Sequence, residues 1–166
     1  MKNIVLIGMP GAGKSTIGFA LAEKLGFTFV DTDTVIEQKY GEKLCEIIAR
    51  VGEKEFLQME NQTVADLQAE NSIIATGGSI VFGRDAMAHL HQIGHVVYLK
   101  WSVRQLEKRL GDLKARGVIL NGSRTVREIY AARSPLYARE ADFTLDGSDM
   151  SAAACADAII KAFKTK

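Results

Sequence analysis

Eight residues near the N-terminus, Gly8-Met9-Pro10-Gly11-Ala12-Gly13-Lys14-Ser15, match the pattern GxxxxGK[ST]. Its chemistry is the holding of phosphate. Glycines let successive backbone N–H groups turn inward around an anion, and a helix beginning near Ser15 adds about half a positive charge at its N-terminus. Gly11, Ala12, Gly13, Lys14, Ser15 and Thr16 are therefore the nucleotide-binding candidates. Lys14 reaches the β- and γ-phosphates, and the Ser15 hydroxyl is a ligand for Mg²⁺. The expected co-substrate is ATP, with Mg²⁺ as its cofactor.

Two further groups of residues could share that chemistry. Asp31-Thr32-Asp33 follows a short apolar run. Residues two apart at a strand end project to one side, and strand ends face the crevice of an open α/β sheet. Of Asp31 and Asp33, one is thus a candidate for the metal shell and the other for accepting a proton or hydrogen bond from an acceptor hydroxyl. A competing use of Asp33 is as N-cap of a helix starting near Val35. Ala75-Thr76-Gly77-Gly78-Ser79 ends another apolar run, and paired glycines there allow a ligand close to the backbone.

The elements that must position these groups are legible as alternating patterns. Ile4–Ile7, Phe27–Val30, Ile73–Ala75, Val96–Leu99 and Phe143–Leu145 are short apolar runs without polar alternation, which suits strands buried on both faces. Between them, Ile17/Leu21/Leu25, Phe56/Met59/Thr63/Leu67, Val103/Leu106/Leu110/Leu113 and Ala152/Cys155/Ile159/Phe163 recur at helical spacing. Ser102 and Ser151 suit N-caps, and Thr125 with Glu128 reads as a capping box for a helix ending before Pro135. Alternation of this kind predicts an α/β fold, a five-stranded parallel sheet between two helical layers. The expected organisation is one domain over 1–166, with a loop at about 111–123, where Gly111, Gly117 and Gly122 interrupt the pattern.

Composition narrows the classes. Twenty-one basic against twenty acidic side chains give a net charge of +1, which argues against a nucleic-acid partner. The charge is nevertheless segregated: 31–70 carries ten acids and four bases, and 100–139 carries ten bases and three acids. No apolar run approaches the ~18 residues of a membrane span. Cys45 and Cys155 are far apart with no CxxC, which suits a reducing cytoplasm. His91 and His95 have helical ligand spacing, but Gly94 between them argues against a metal site. No NKxD guanine-reading sequence is present, and Val96–Leu99 runs into Lys100 rather than an Asp. Both absences favour a small-metabolite or nucleotide kinase over a GTPase or a motor ATPase.

In this order, GMPGAGKST, DTD, Gly52-Glu53-Lys54-Glu55-Phe56 with Glu60, ATGG, an Arg-rich stretch and Arg133-Ser134-Pro135-Leu136-Tyr137 resemble the shikimate kinase family over nearly the whole chain. The resemblance implies a three-layer P-loop kinase fold with a mobile lid at about 111–123, and transfer of the γ-phosphate to a ring hydroxyl of shikimate by a cytoplasmic enzyme, expected as a monomer. By resemblance Lys14, Asp33 and Arg116 are catalytic, and Ser15 and Asp31 hold the metal. Arg109 stacks on adenine. Asp33, Gly77, Gly78, Ser79 and Arg133 meet a small hydroxy-carboxylate substrate, with Arg133 on its carboxylate.

Four positions depart from the family pattern. The second carboxylate-gripping Arg is Leu57, the third glycine is Ser79, the lid's Arg-Pro-Leu is Arg116-Gly117-Val118, and a proline near the adenine is missing around Met150 or Ser151. Leu57 leaves open a changed acceptor such as homoserine, whose shorter pocket a leucine would line. A third reading is a nucleotide-binding regulator without kinase activity.

Overall fold

The computed structural model of the chain describes residues 2–110, 118–123 and 125–164. The five apolar runs form five strands, β1 Asn3–Ile7, β2 Thr28–Asp31, β3 Ser72–Ala75, β4 Gly94–Lys100 and β5 Phe143–Asp146. Their order is β2-β3-β1-β4-β5, and every pairing is parallel. The central strands are the most apolar: β1 and β3 are buried throughout, and β4 is exposed only at Lys100 and partly at His95.

Eight α-helices are described: α1 Lys14–Leu25, α2 Thr32–Tyr40, α3 Leu44–Val51, α4 Glu53–Ala65, α5 Arg84–Ile93, α6 Val103–Arg109, α7 Val126–Glu140 and α8 Ala152–Lys164. The path from β1 to β2 runs one way along the sheet, and the paths from β3 to β4 and from β4 to β5 run the other. Right-handed crossovers then put α1 on one face and α5 and α7 on the opposite face. The packing agrees, with α1 against α8 and β3, α5 and α7 against β4, and α4 along α5. This is the expected three-layer α/β architecture. A second apolar cluster lies beside the main core, where Ile36, Leu44, Ile47, Phe56 and Ile119 close together, with Leu57 and Met59 packed against them.

Several helix limits follow from local chemistry. The Gln105 N–H donates to Ser102 Oγ (3.2 Å), the Glu128 N–H to Thr125 Oγ1 (3.1 Å) and the Ala154 N–H to Ser151 Oγ (3.1 Å), so all three expected caps are made. Two limits differ from expectation. α6 ends at Arg109, before Leu110, and Leu113 lies outside the described residues. α7 does not end before Pro135 but continues five residues beyond it, to Glu140. A proline removes one helical hydrogen bond. Here Arg133 and Tyr137, on either side of it, are each tied by hydrogen bonds to other parts of the fold. Helices α3 and α5 were not anticipated at all.

The three histidines go separate ways. His89 bonds the Leu67 carbonyl, His91 pairs with Glu140, and His95 stacks on Phe163. Among the described residues no group of three or more His, Cys, Asp or Glu could hold a metal ion, and no helix is long and apolar enough to cross a membrane. Both cysteines are free.

Candidate active site

Because the chain leaves β1 toward β2 on one side and β4 lies on the other, a crevice opens at the carboxyl ends of the central strands. Three strand ends feed it: the phosphate loop after β1, Asp31 at the end of β2, and Thr76-Gly77-Gly78 after β3. They line one cavity of about 310 Å³.

The phosphate end is built largely from backbone. Gly11 and Gly13 sit at φ +78° and +74°, conformations that a residue with a Cβ rarely adopts. They bend the loop into the N-terminus of α1. Lys14 lies along this loop and donates from Nζ to the carbonyls of Gly8 and Met9, both at 2.8 Å. Burial lowers its pKa to about 8, against the opposing pull of Asp33 and Asp31, so it is still charged at neutral pH. Ser15 joins the lining, whereas Thr16 is exposed on the first turn of α1 and does not. Arg109 Cζ lies over the Trp101 ring, 4.0 Å from its centroid, and its Nη1 donates to the Gly11 carbonyl. That holds a planar cation beside the loop.

The carboxylate pair takes a different form from the one expected. Asp31 alone closes the strand, and it is Asp31, not Asp33, that caps α2: the Asp33 N–H donates to Asp31 Oδ1 (2.9 Å). Asp33 is the second residue of the helix and is thereby free to face the cleft. Burial, then the neighbouring Asp31, raises its pKa to about 6, with Lys14 opposing. A Cβ on Gly77 would stand 2.7 Å from Asp33 Oδ1 and 3.1 Å from Glu60 Oε2, and one on Gly78 would stand 2.8 Å from the Pro10 ring. The double glycine is therefore required by close approach. Ser15 and Asp31 supply hard oxygen donors on one side of the cavity. That sparse set fits a cation keeping much of its shell as water and phosphate oxygen, as Mg²⁺ does.

The rest of the cavity wall is built largely from side chains. Arg133 is 2% exposed; it donates from Nη2 to the Ile119 carbonyl, while Nη1 has no partner. Tyr137, one turn on, donates from its hydroxyl to the Gly78 carbonyl at 2.5 Å, and burial holds its pKa up at about 12 so that it stays a donor. Ser79 donates to Glu60 Oε1 at 2.8 Å. Glu53 accepts from the N–H groups of Leu120 and Asn121 at 2.5 and 3.0 Å. This clasp ties the 118–123 segment to the start of α4, and Val118 and Ile119 complete the wall with Leu44 and Phe56.

Of the residues expected at the site, Gly11, Ala12, Gly13, Lys14, Ser15, Asp31, Asp33, Gly77, Gly78, Ser79 and Arg133 all line this cavity. Arg116 and the 111–117 part of the expected lid lie outside the described residues. Leu57 is a correction. It is absent from the lining and packs instead against the second apolar cluster, because the adjacent Phe56 takes the inward position on α4. A leucine lining a shortened pocket, the motive for a changed acceptor, is not what the fold contains. Ile119 went unrecognised, and Phe56, Glu60 and Tyr137 were quoted only within family motifs, not as site residues. Beyond that motif, the signal for Tyr137 was its spacing of four from Arg133, which sets both on one helical face.

Comparison with known proteins matches this arrangement. The shikimate kinase family profile covers residues 10–164. A shikimate kinase of Vibrio campbellii is 39% identical over 163 residues, spanning 96% of this chain and 95% of that protein. One of Thermodesulfovibrio yellowstonii is 35% identical over 99% of this chain and 96% of its own length. Among solved structures, shikimate kinase from Acinetobacter baumannii in complex with shikimate superposes with a TM-score of 0.90 at 32% identity, covering 99% of this chain and 94% of that one. A thymidylate kinase from Candida albicans, 12% identical with a TM-score of 0.63, shares the fold alone. With the phosphate loop, the double glycine and the buried arginine all in one cleft, the chain belongs to the shikimate kinase family.

Proposed function

We propose that the chain is an ATP-dependent kinase that phosphorylates a ring hydroxyl of shikimate, working as a single-domain monomer in the cytoplasm. The observation that carries the acceptor reading is Arg133. A buried guanidinium with Nη1 unpartnered, beside Gly78 in the same cleft as a phosphate loop, fits an acceptor that carries a carboxylate. Two unpaired cysteines suit a reducing compartment.

The loop N–H groups and Lys14 hold the β- and γ-phosphates and counter the charge that builds on them. Ser15 and Asp31 would hold Mg²⁺, which when bound shields the phosphate oxygens. Asp33, ionised above about pH 6, receives the proton of the acceptor hydroxyl as that oxygen bonds to the γ-phosphorus and the bond to the departing ADP oxygen breaks. Arg133 grips the carboxylate, and Gly77 and Gly78 let the acceptor lie against the backbone. Arg109 supports the nucleotide side, and by family resemblance Arg116 meets the transferring phosphate. Catalysis is then positioning and charge stabilisation.

The test is ADP release with shikimate, homoserine, gluconate and nucleoside monophosphates offered separately. Turnover with shikimate far above the others is expected. Preference for another acceptor overturns the substrate assignment, and absence of acceptor-dependent release overturns the kinase reading.

A further inference from the structure

Trp101 is the chain's one tryptophan. It stands between the end of β4 and the Ser102 cap of α6, and it is only 7% exposed. A Cβ on Gly147, just past β5, would stand 3.4 Å from its ring, so the indole rests on the chain there. Arg109 Cζ lies over the ring at 4.0 Å from the centroid, and Arg109 Nη1 reaches the Gly11 carbonyl of the phosphate loop at 3.3 Å. A buried indole ordinarily finds a partner for its N–H. Here Nε1 makes no hydrogen bond among the described residues, so what the ring offers is its face. We propose that Trp101 is a positioning residue for the nucleotide: its ring holds Arg109 at the rim of the phosphate loop, in place to meet the nucleoside part of ATP.

The arrangement is local in origin. Helical side chains lean toward the N-terminus of their helix. Arg109, the last residue of α6, therefore reaches back toward Trp101, which precedes the same helix. It also passes along the loop, since a Cβ on Gly13 would stand 3.6 Å from its Nη1. Arg109 does not line the cavity. The part of a nucleotide it meets therefore lies outside the cavity, beyond the phosphates that the loop holds. Arg109 is exposed, and an exposed arginine has many rotamers that a ligand must freeze. A ring already in contact with the guanidinium removes part of that cost before the nucleotide arrives. The attraction is between a cation and the face of an aromatic ring, so an aliphatic side chain in the same place would fill the space without holding the arginine.

The proposal rests on the loop's being a nucleotide site and not on the choice of acceptor, so binding alone tests it. In calorimetry with ADP, W101L is expected to raise Kd about fivefold. W101F, which keeps an aromatic face, should stay within about twofold of the wild type. Inorganic tripolyphosphate fills the loop and has no nucleoside, so it should bind W101L and the wild type alike. An unchanged ADP Kd in W101L, a W101F loss as large as that of W101L, or an equal weakening of tripolyphosphate overturns the proposal. Should W101L fail to fold, the fluorescence of Trp101 itself decides. Its emission must change as the wild-type protein is saturated with ADP, and must differ in R109M; emission indifferent to both overturns the proposal. Failure of the wild type to bind ADP at all would overturn the nucleotide reading too, whereas ADP binding that ignores Trp101 overturns this proposal alone.

Discussion

The two ends of the cleft are made in different ways. At the phosphate end a short contiguous segment, 8–15, bends its own backbone around the ligand, and a single side chain, Lys14, completes it. At the acceptor end Asp33, Glu60, Gly77, Ser79, Ile119 and Arg133 come from α2, α4, the loop after β3, the 118–123 segment and α7. The first device depends on backbone shape, which most substitutions elsewhere leave alone. The second depends on side-chain identity at scattered positions, and there one or two substitutions can retune the substrate. The departures from the family pattern within the cleft are in keeping with this, since Ser79 lies at the acceptor end.

The largest effect should come from Lys14→Met, which removes the one cation built into the loop. The turnover number should fall about a thousandfold or more while shikimate affinity, read by calorimetry, holds. Because burial already disfavours the charged lysine, the melting temperature should not drop. Loss of acceptor binding as well would break the division between the ends. Next, Arg133→Lys should raise the acceptor KM about tenfold to hundredfold, with the ATP KM unmoved in steady-state kinetics. A matching rise for ATP would mean the ends are one unit. The pH profile of kcat/KM should show both ends at once. Asp33 is raised to about 6 and must be ionised to take the proton, so activity falls as pH drops through 6. Lys14 is lowered to about 8 and must be charged, so activity falls as pH rises through 8. At one unit beyond either limb the loss is about tenfold. The smallest effect is expected of Leu57→Ala, which trims the second apolar cluster: a fall of a few degrees in melting temperature and an acceptor KM within twofold of wild type. A larger shift in KM would return Leu57 to the cleft.

How much was legible follows the same division. The five strands were readable to within one or two residues, the three central ones because a strand buried on both faces has no polar alternation to confuse it, while the edge strands β2 and β5 are partly exposed. The phosphate loop was readable because its chemistry is contiguous. The position of Asp33 was right for the wrong reason. Two residues of a strand were expected to share a side, whereas Asp31 turns the chain into α2 and presents Asp33 from a helical turn. Glu60 gave little sign of its place, being one acid among ten in an acidic stretch, and only burial sets it apart. Within the segregated charge, Arg50 pairs with Glu42 and Arg127 with Glu107, each inside its own stretch. The stretches meet at backbone, where Glu53 holds the N–H groups of Leu120 and Asn121. Leu57 shows the limit of reading by resemblance: a changed residue in a family motif pointed to the pocket, and packing put it elsewhere.

The strand order also sets a schedule. β1 lies at the middle of the sheet yet is the first strand to leave the ribosome, and its two partners, β3 and β4, begin at Ser72 and Gly94. Until both have emerged, Ile4–Ile7 is an apolar segment with two open edges, and the loop that follows has no wall to bend against. Pairings this distant along the chain fold slowly and leave such edges exposed meanwhile. The most local binding motif in the sequence is thus among the last to become functional, and a nascent chain halted before Gly94 would carry all of its residues without its shape.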